Sequence, residues 1–267
     1  MLDTPRPRER TSRGGQDLSD APAAVFELPG PQVAERPRRS PGVRLLDEIA
    51  EMELAIPRDE RQRARGSVVA PLHAQEVGPI TAATIAGGSR PYGLLIVEGI
   101  VFARTSMYDR PATEILTTGD VFDPWSDDEP SLIPTSTEHL VYRAARLAVL
   151  DDRFRIAARR WPGLHDVVRA QMTRQARRQS RMLAMLQLPR VEDRIVAFFL
   201  ELGERLGRVT PAGIAVDLPM THALIGEAVG SRRPTVSLAL TELAASGLLS
   251  RRAGGTWIVA PDRSAVA

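Results

Sequence analysis

Between residues 221 and 252 the chain repeats two kinds of hydrogen-bond donor. Hydroxyls stand at Thr221, Ser231, Thr235 and Ser237, and guanidinium groups at Arg232, Arg233, Arg251 and Arg252. A guanidinium is a planar fork that fits a phosphate, or the O6 and N7 edge of a guanine, with two hydrogen bonds at once. Short hydroxyls reach phosphate oxygens and fix position without reading sequence. The chain has no Cys, which excludes disulfides, Cys-bound iron–sulfur clusters and Cys-rich zinc sites. It also has no Lys, every basic side chain being Arg, so a P-loop lysine, a Schiff base and control by lysine acetylation are excluded. The residue types support donation to an anion. No catalytic residue, metal site or cofactor is expected.

The local pattern positions these donors. Residues 221–230 read as a short helix with Thr221 at its N-cap. Gly230 with Ser231 makes a tight turn, because Gly accepts positive φ at no steric cost. Pro234 suits the first turn of a second helix, where its missing N–H is harmless, and Gly247 suits that helix's end. Leu224, Ile225, Ala228, Val229, Val236, Leu240 and Leu243 give the two helices facing apolar sides. Residues 248–259 read as a strand, a turn at Gly254 and Gly255, and a returning strand. Helix, turn, helix and wing make a winged helix-turn-helix, whose second helix enters the major groove of double-stranded DNA. For Arg251 and Arg252 on the wing, freely solvated charge is the open alternative.

Charge is distributed unevenly. The 267 residues carry 35 basic and 33 acidic side chains, a net of +2. Residues 45–150 hold 9 Arg against 16 acids, whereas residues 151–267 hold 18 Arg against 11 acids. An acidic half joined to a basic half is the pattern expected when one end meets an anionic partner. Residues 1–42 are rich in Pro, Arg, Gly and Ser and lack periodicity, so they are expected to be a disordered tail. Their acids argue against a basic arm on DNA. No apolar run reaches the ~18 residues of a membrane helix, and no signal-peptide core follows Met1. The sequence therefore reads as a soluble cytoplasmic protein with no membrane partner.

Upstream of the winged module the fold class reads as α+β. Leu45, Leu46, Ile49 and Met52 suggest one amphipathic helix over residues 43–56. Residues 67–150 hold short β-branched segments between Gly, Pro and Asp, which predicts an antiparallel β-roll. A hairpin is expected to turn at Glu98 and Gly99, with a second corner in 116–122. Residues 164–188 contain no Pro or Gly and read as one long helix. On it Val168, Met172, Gln175, Gln179, Met182 and Leu186 are spaced 4, 3, 4, 3, 4, an a/d seam for pairing two copies. A single helix packed on its own roll is the alternative. Arg169, Arg174, Arg177, Arg178 and Arg181 surround the seam and read mostly as solvated. A further helix is expected over 191–206, then two short strands around Pro211, Ala212 and Gly213. The expected domains are the tail 1–42, a sensory roll 43–155, a dimerisation helix 156–188 and the winged helix-turn-helix 189–262.

The arrangement resembles the Crp/Fnr family of bacterial transcription regulators over roughly residues 43–260. Its carriers are residues 94–104 and 119–122 in the roll, the long helix, and the stretches 188–194, 218–222 and 229–237. Phe122, Asp123, Pro124 and Trp125 look like an actinobacterial subgroup. The resemblance implies a homodimer, a sensory roll and an inverted repeat in promoter DNA, and it allows RNA polymerase as a further partner. In the family the recognition helix opens with an Arg that reads guanine, then a Glu, and one turn later a second Arg. Arg233 matches the first, but the other positions hold Pro234 and Leu238, so the best-known family operator is not implied. Thr235 and Ser237 would face the groove or the phosphates, and Thr221, Arg232, Arg251 and Arg252 the phosphates.

Cyclic-nucleotide binders of the family carry a Gly-Glu pair and a downstream Arg-Ser/Thr-Ala. Here residues 123–130 are acidic and lack the Arg, so a cyclic phosphate would meet like charge, and the sequence names no effector. His73 and His139 are single and far apart, without a His-x-His pattern, which argues against haem and against a cupin-like metal enzyme. Trp125 and Tyr142 either line an apolar pocket or pack. A small-molecule or cyclic-nucleotide sensing module that docks an acidic protein partner is the remaining alternative, and it would not need the turn-and-wing pattern.

Overall fold

In the computed structural model the described residues are 42–80, 85, 91–108, 110–125 and 132–260. The expectations for the tail 1–41 and for the acidic residues 126–131 lie outside them. The described chain enters through strand β1 (Gly42–Arg44) and two short helices, α1 (Leu45–Glu48) and α2 (Ala50–Leu54). The single helix expected over 43–56 is thus corrected at two points. β1 is held extended by pairing with residues 69–71, and Ile49 breaks the remainder with an extended φ of −120°. Helix α3 (Arg61–Ser67), which the sequence reading lacks, leads into the roll.

The roll comprises β2 (Val69–Gln75), β3 (Gly78–Ile80), β4 (Leu94–Met107), β5 (Arg110–Thr117), β6 (Val121–Phe122) and β7 (Thr135–Val149). Its strands run β1-β2-β7-β4-β5, with β3 on β7 and β6 on β4. The expected reversal at Glu98 and Gly99 is not there: β4 passes through as one 14-residue strand. Its register against β7 shifts between Ile96 and Val101, and at Gly99, with φ +109°, a Cβ would lie 2.6 Å from the Ala145 Cα. Glycine serves a bulge and close strand approach. The hairpin instead turns after Met107, beside Tyr108 with φ 48°.

Alternation along β4 gives the strand two apolar faces. Leu94, Ile96 and Val101 join Leu116, Phe122 and Leu147 in one core. Ile100 and Phe102, with Ile115 of β5, point into another. A further cluster joins the entry helices to the two helices after the roll: Leu45 and Met52 meet Phe154 of α4 (Asp152–Arg160) and Leu164 of α5 (Gly163–Met185). Asp151 caps α4 by accepting from the Arg153 N–H at 2.9 Å.

The C-terminal module begins with α6 (Val191–Leu206), β8 (Gly207–Thr210) and β9 (Gly213–Val216). It continues through α7 (His222–Val229), α8 (Arg233–Ala245), β10 (Leu249–Arg251) and β11 (Trp257–Val259). Its sheet has the order β10-β11-β9-β8. Phe198, Phe199, Ile225, Val236 and Trp257 form its core, and this is the cluster that Ile100, Phe102 and Ile115 of the roll enter. Roll and module are continuous through that shared core. No described helix is long and apolar enough to cross a membrane.

Candidate nucleic-acid interface

The turn between α7 and α8 is built by backbone chemistry. Thr221 caps α7, its Oγ1 accepting from the Leu224 N–H at 3.2 Å. Gly230 ends the helix in the left-handed region, φ 64°, and the Ser231 N–H donates back to the Gly226 carbonyl at 2.9 Å. That bond draws the turn onto α7 so tightly that a Cβ at Gly226 would stand 2.6 Å from the Ser231 oxygen. The chain then extends through Arg232 and enters α8 at Arg233 and Pro234. Val236, Ala239, Leu240 and Leu243 are buried, whereas Arg232, Arg233, Pro234, Thr235, Leu238 and Thr241 are exposed.

His222, absent from the sequence-derived site, lies at the meeting point of these elements. Its Nδ1 is 2.8 Å from the Ser237 Oγ, while that hydroxyl donates to the Arg233 carbonyl at 3.0 Å. With the hydroxyl proton so directed, the imidazole is the donor and carries its proton on Nδ1. Burial depresses the His222 pKa, and the charges of Arg251 and Arg233 depress it further. The starts of α7 and α8 and the wing strand β10 therefore converge around one neutral imidazole. Arg251 lies over Trp257, its guanidinium carbon 5.3 Å from the ring centre, a cation–π contact that orients it. Arg252 is exposed where the wing turns and Ser231 is half-buried in the turn.

The other face of α7 looks toward the roll. Glu227 accepts from the Arg104 guanidinium and from the Thr113 hydroxyl at 2.8 Å. Tyr142 resolves the sequence alternative in favour of packing: its ring stacks on Phe102, with centroids 4.4 Å apart, and its hydroxyl donates to the Pro219 carbonyl. Arg143 donates to the Asp217 carbonyl at 3.0 Å. His139 is buried against Phe122 with ring centroids 4.7 Å apart, and His73 pairs with Gln75 at 2.9 Å.

The six seam residues of the long helix do not share one exposed face. Val168 is buried in the cluster with Leu164 and Phe154. Gln175, Met182 and Leu186 are half-buried, and the Gln179 amide donates to Glu114 at 2.7 Å. Of the five arginines around the seam, read mostly as solvated, Arg169, Arg174, Arg177 and Arg181 are exposed and Arg178 is buried. α5 carries two stripes, and the one turned outward is Met172, Ala176, Gln179 and Leu183. Met172 is 44% and Leu183 65% exposed.

The antiparallel roll, the long connecting helix and the winged helix-turn-helix with its exposed arginines are each similar to parts of known proteins. Residues 193–267 match the Crp-like helix-turn-helix domain. The regulatory protein CysR of Synechococcus elongatus is 33% identical over 84 residues, 30% of this chain and 41% of that protein. The chain thus spans well under half of the curated relatives it matches.

The fold likeness is broader. A cyclic nucleotide-binding domain containing protein from Listeria monocytogenes EGD-e aligns over 83% of this chain and 99% of its own, with 15% identity and a TM-score of 0.60. A CRP/FNR-family transcriptional regulator from Thermus thermophilus aligns over 73% and 95%, with 21% identity and a TM-score of 0.52. The chain carries a Crp-like helix-turn-helix domain on the fold of the Crp/Fnr regulators.

Proposed function

We propose that this chain is a sequence-specific transcription regulator that binds an inverted-repeat promoter site as a homodimer. The observation that carries the reading is the convergence of Arg233 and Arg251 beside His222, on the exposed side of a helix-turn-helix whose opposite side is packed on the roll. Arg233, at the first position of α8, donates to guanine O6 and N7. Thr221, Ser231, Arg232, Arg251 and Arg252 meet phosphates, which position without specifying. Thr235 contacts the groove edge, and Ser237 holds the start of α8.

In this reading residues 43–155 are the sensory roll, 156–188 the dimerisation segment, whose pairing helix is α5 (Gly163–Met185) after the end of α4 at Arg160, and 189–262 the DNA-binding domain. The outward stripe of Met172, Ala176, Gln179 and Leu183 supports pairing of two copies through α5. Footprinting of the full chain on a genomic fragment library tests the proposal. Two protected half-sites about 34 Å apart, one helical turn, are expected. Uniform, sequence-blind protection would overturn it.

A further inference from the structure

We infer that Leu238 reads a thymine by its 5-methyl group, making it a specificity residue of the operator contact; the inference rests on the DNA-binding reading above. At 100° per residue, Pro234, Leu238, Thr241 and Ala245 form the line of α8 opposite buried Val236, Ala239, Leu240 and Leu243. Leu238 is 63% exposed at the middle of that line, where the second helix of a helix-turn-helix meets base edges.

The hydroxyls next to Leu238 and one turn beyond it, Ser237 and Thr241, already donate within the helix. The Ser237 hydroxyl donates to the Arg233 carbonyl at 3.0 Å, and the Thr241 hydroxyl donates to the Ser237 carbonyl at 3.0 Å. Along this line Pro234 and Leu238 therefore present hydrocarbon, with exposed Thr235 to one side of it. The major groove offers one hydrocarbon group, the thymine methyl, and apolar side chains recognise it by contact. Arginines at the start of α8 and on the wing complement the phosphates on either side, so the apolar line is carried into the groove.

The test starts with selection of binding sites by the full chain from double-stranded DNA with a randomised core. Each thymine of the recovered site is then replaced by deoxyuridine, which lacks only the methyl group. The expected result is one thymine per half-site whose replacement weakens binding about fourfold, the effect of burying one methylene-sized group. Leu238→Ala should bind the thymine and uridine forms equally while keeping its guanine preference. Circular dichroism checks that the variant folds as the parent chain does. Leu238→Gln, which replaces the apolar contact by an amide, should lose the methyl discrimination as well. If no thymine responds, or if Leu238→Ala discriminates as the parent chain does, the Leu238 assignment is overturned while the recovered site leaves the regulator reading standing. If selection recovers no preferred sequence, both are overturned.

Discussion

Asp120 of the roll and Arg205 of α6 form an ion pair of 2.8 Å, although 85 positions of sequence separate them. The second Asp120 oxygen is held by Arg178 of α5, and its Oδ2 also accepts the Thr117 N–H at 2.9 Å. The Asp120 side chain is 5% exposed. Three parts of the molecule thus close on a single buried carboxylate, with Glu201, 3.6 Å from Arg205, supplying a second negative charge.

Removing that carboxylate leaves two buried guanidinium groups with too few partners. Asp120→Ala should therefore destabilise the full chain by about 3–5 kcal/mol, the range for breaking a buried pair from one side. Combining it with Arg205→Met should recover part of the loss. Urea denaturation of the parent, the single variants and the double variant measures this coupling, and simple additivity would rule out the shared carboxylate as the link.

The same network shows where sequence reading runs out. Local signals make the winged module legible: a capping Thr221, a left-handed Gly230, Pro234 in the first turn and an apolar register on each helix. Arg178 looks like any solvated Arg on a polar helix, and only Asp120, 58 residues away, makes it a buried one. Phe102 and Ile115 read correctly as strand residues, but a strand with two apolar faces does not say what covers the second. Gly99 reads as a turn because positive φ is common to turns and bulges; the difference is the Ala145 backbone, contributed by a distant strand. The a/d spacing on α5 is real, yet the helix has two stripes, and the sequence does not tell which one its own roll takes.

Arg233 and Arg251 should separate into two kinds of DNA contact. Arg233→Ala is expected to lose about 1–3 kcal/mol of discrimination at one base pair per half-site. Arg251→Ala should weaken specific and random DNA alike and reduce the salt slope by about one. Titrations on both DNAs at several salt concentrations check the split, and equal loss on both DNAs for both variants would refute it.

Pairing through the outward stripe of α5 predicts that a charge there disrupts the dimer. Leu183→Glu and Met172→Glu, both at exposed positions, should shift sedimentation from dimer toward monomer while leaving the fold intact. Val168→Glu should instead unfold the roll, since that side chain is buried in its core. An unchanged dimer for both exposed variants would remove the stripe from the interface.

Glu114 offers a stability test with a definite sign. Burial raises its carboxyl pKa, against the lowering effects of the Gln179 hydrogen bond and the Arg178 charge, with Asp120 adding to the rise. The folded chain then binds its proton more readily than the unfolded chain, so ionisation opposes folding as pH climbs through and above the ordinary carboxylate range. Glu114→Gln keeps an acceptor for Gln179 and removes the charge. It should raise Tm at pH 7, with the gain fading below about pH 4.5. Thermal melts across that range read the effect directly.

His222 should give folding and DNA binding opposite pH dependences. Its pKa in the free chain is depressed by burial and by Arg251 and Arg233, so the unfolded chain takes up a proton that the folded chain refuses. Stability is full above the ordinary His pKa of about 6.5 and declines as pH falls from there through the folded value. A phosphate seated on Arg251 would neutralise the positive field and raise the pKa. The imidazole can accept that proton on Nε2 without disturbing the Nδ1 bond to Ser237. The complex then binds more protons than the free chain, and affinity rises as pH falls, by at most about tenfold per pH unit for each imidazole. His222→Asn should flatten both trends. Affinity that instead falls with pH in parallel with stability would show that no phosphate approaches this imidazole.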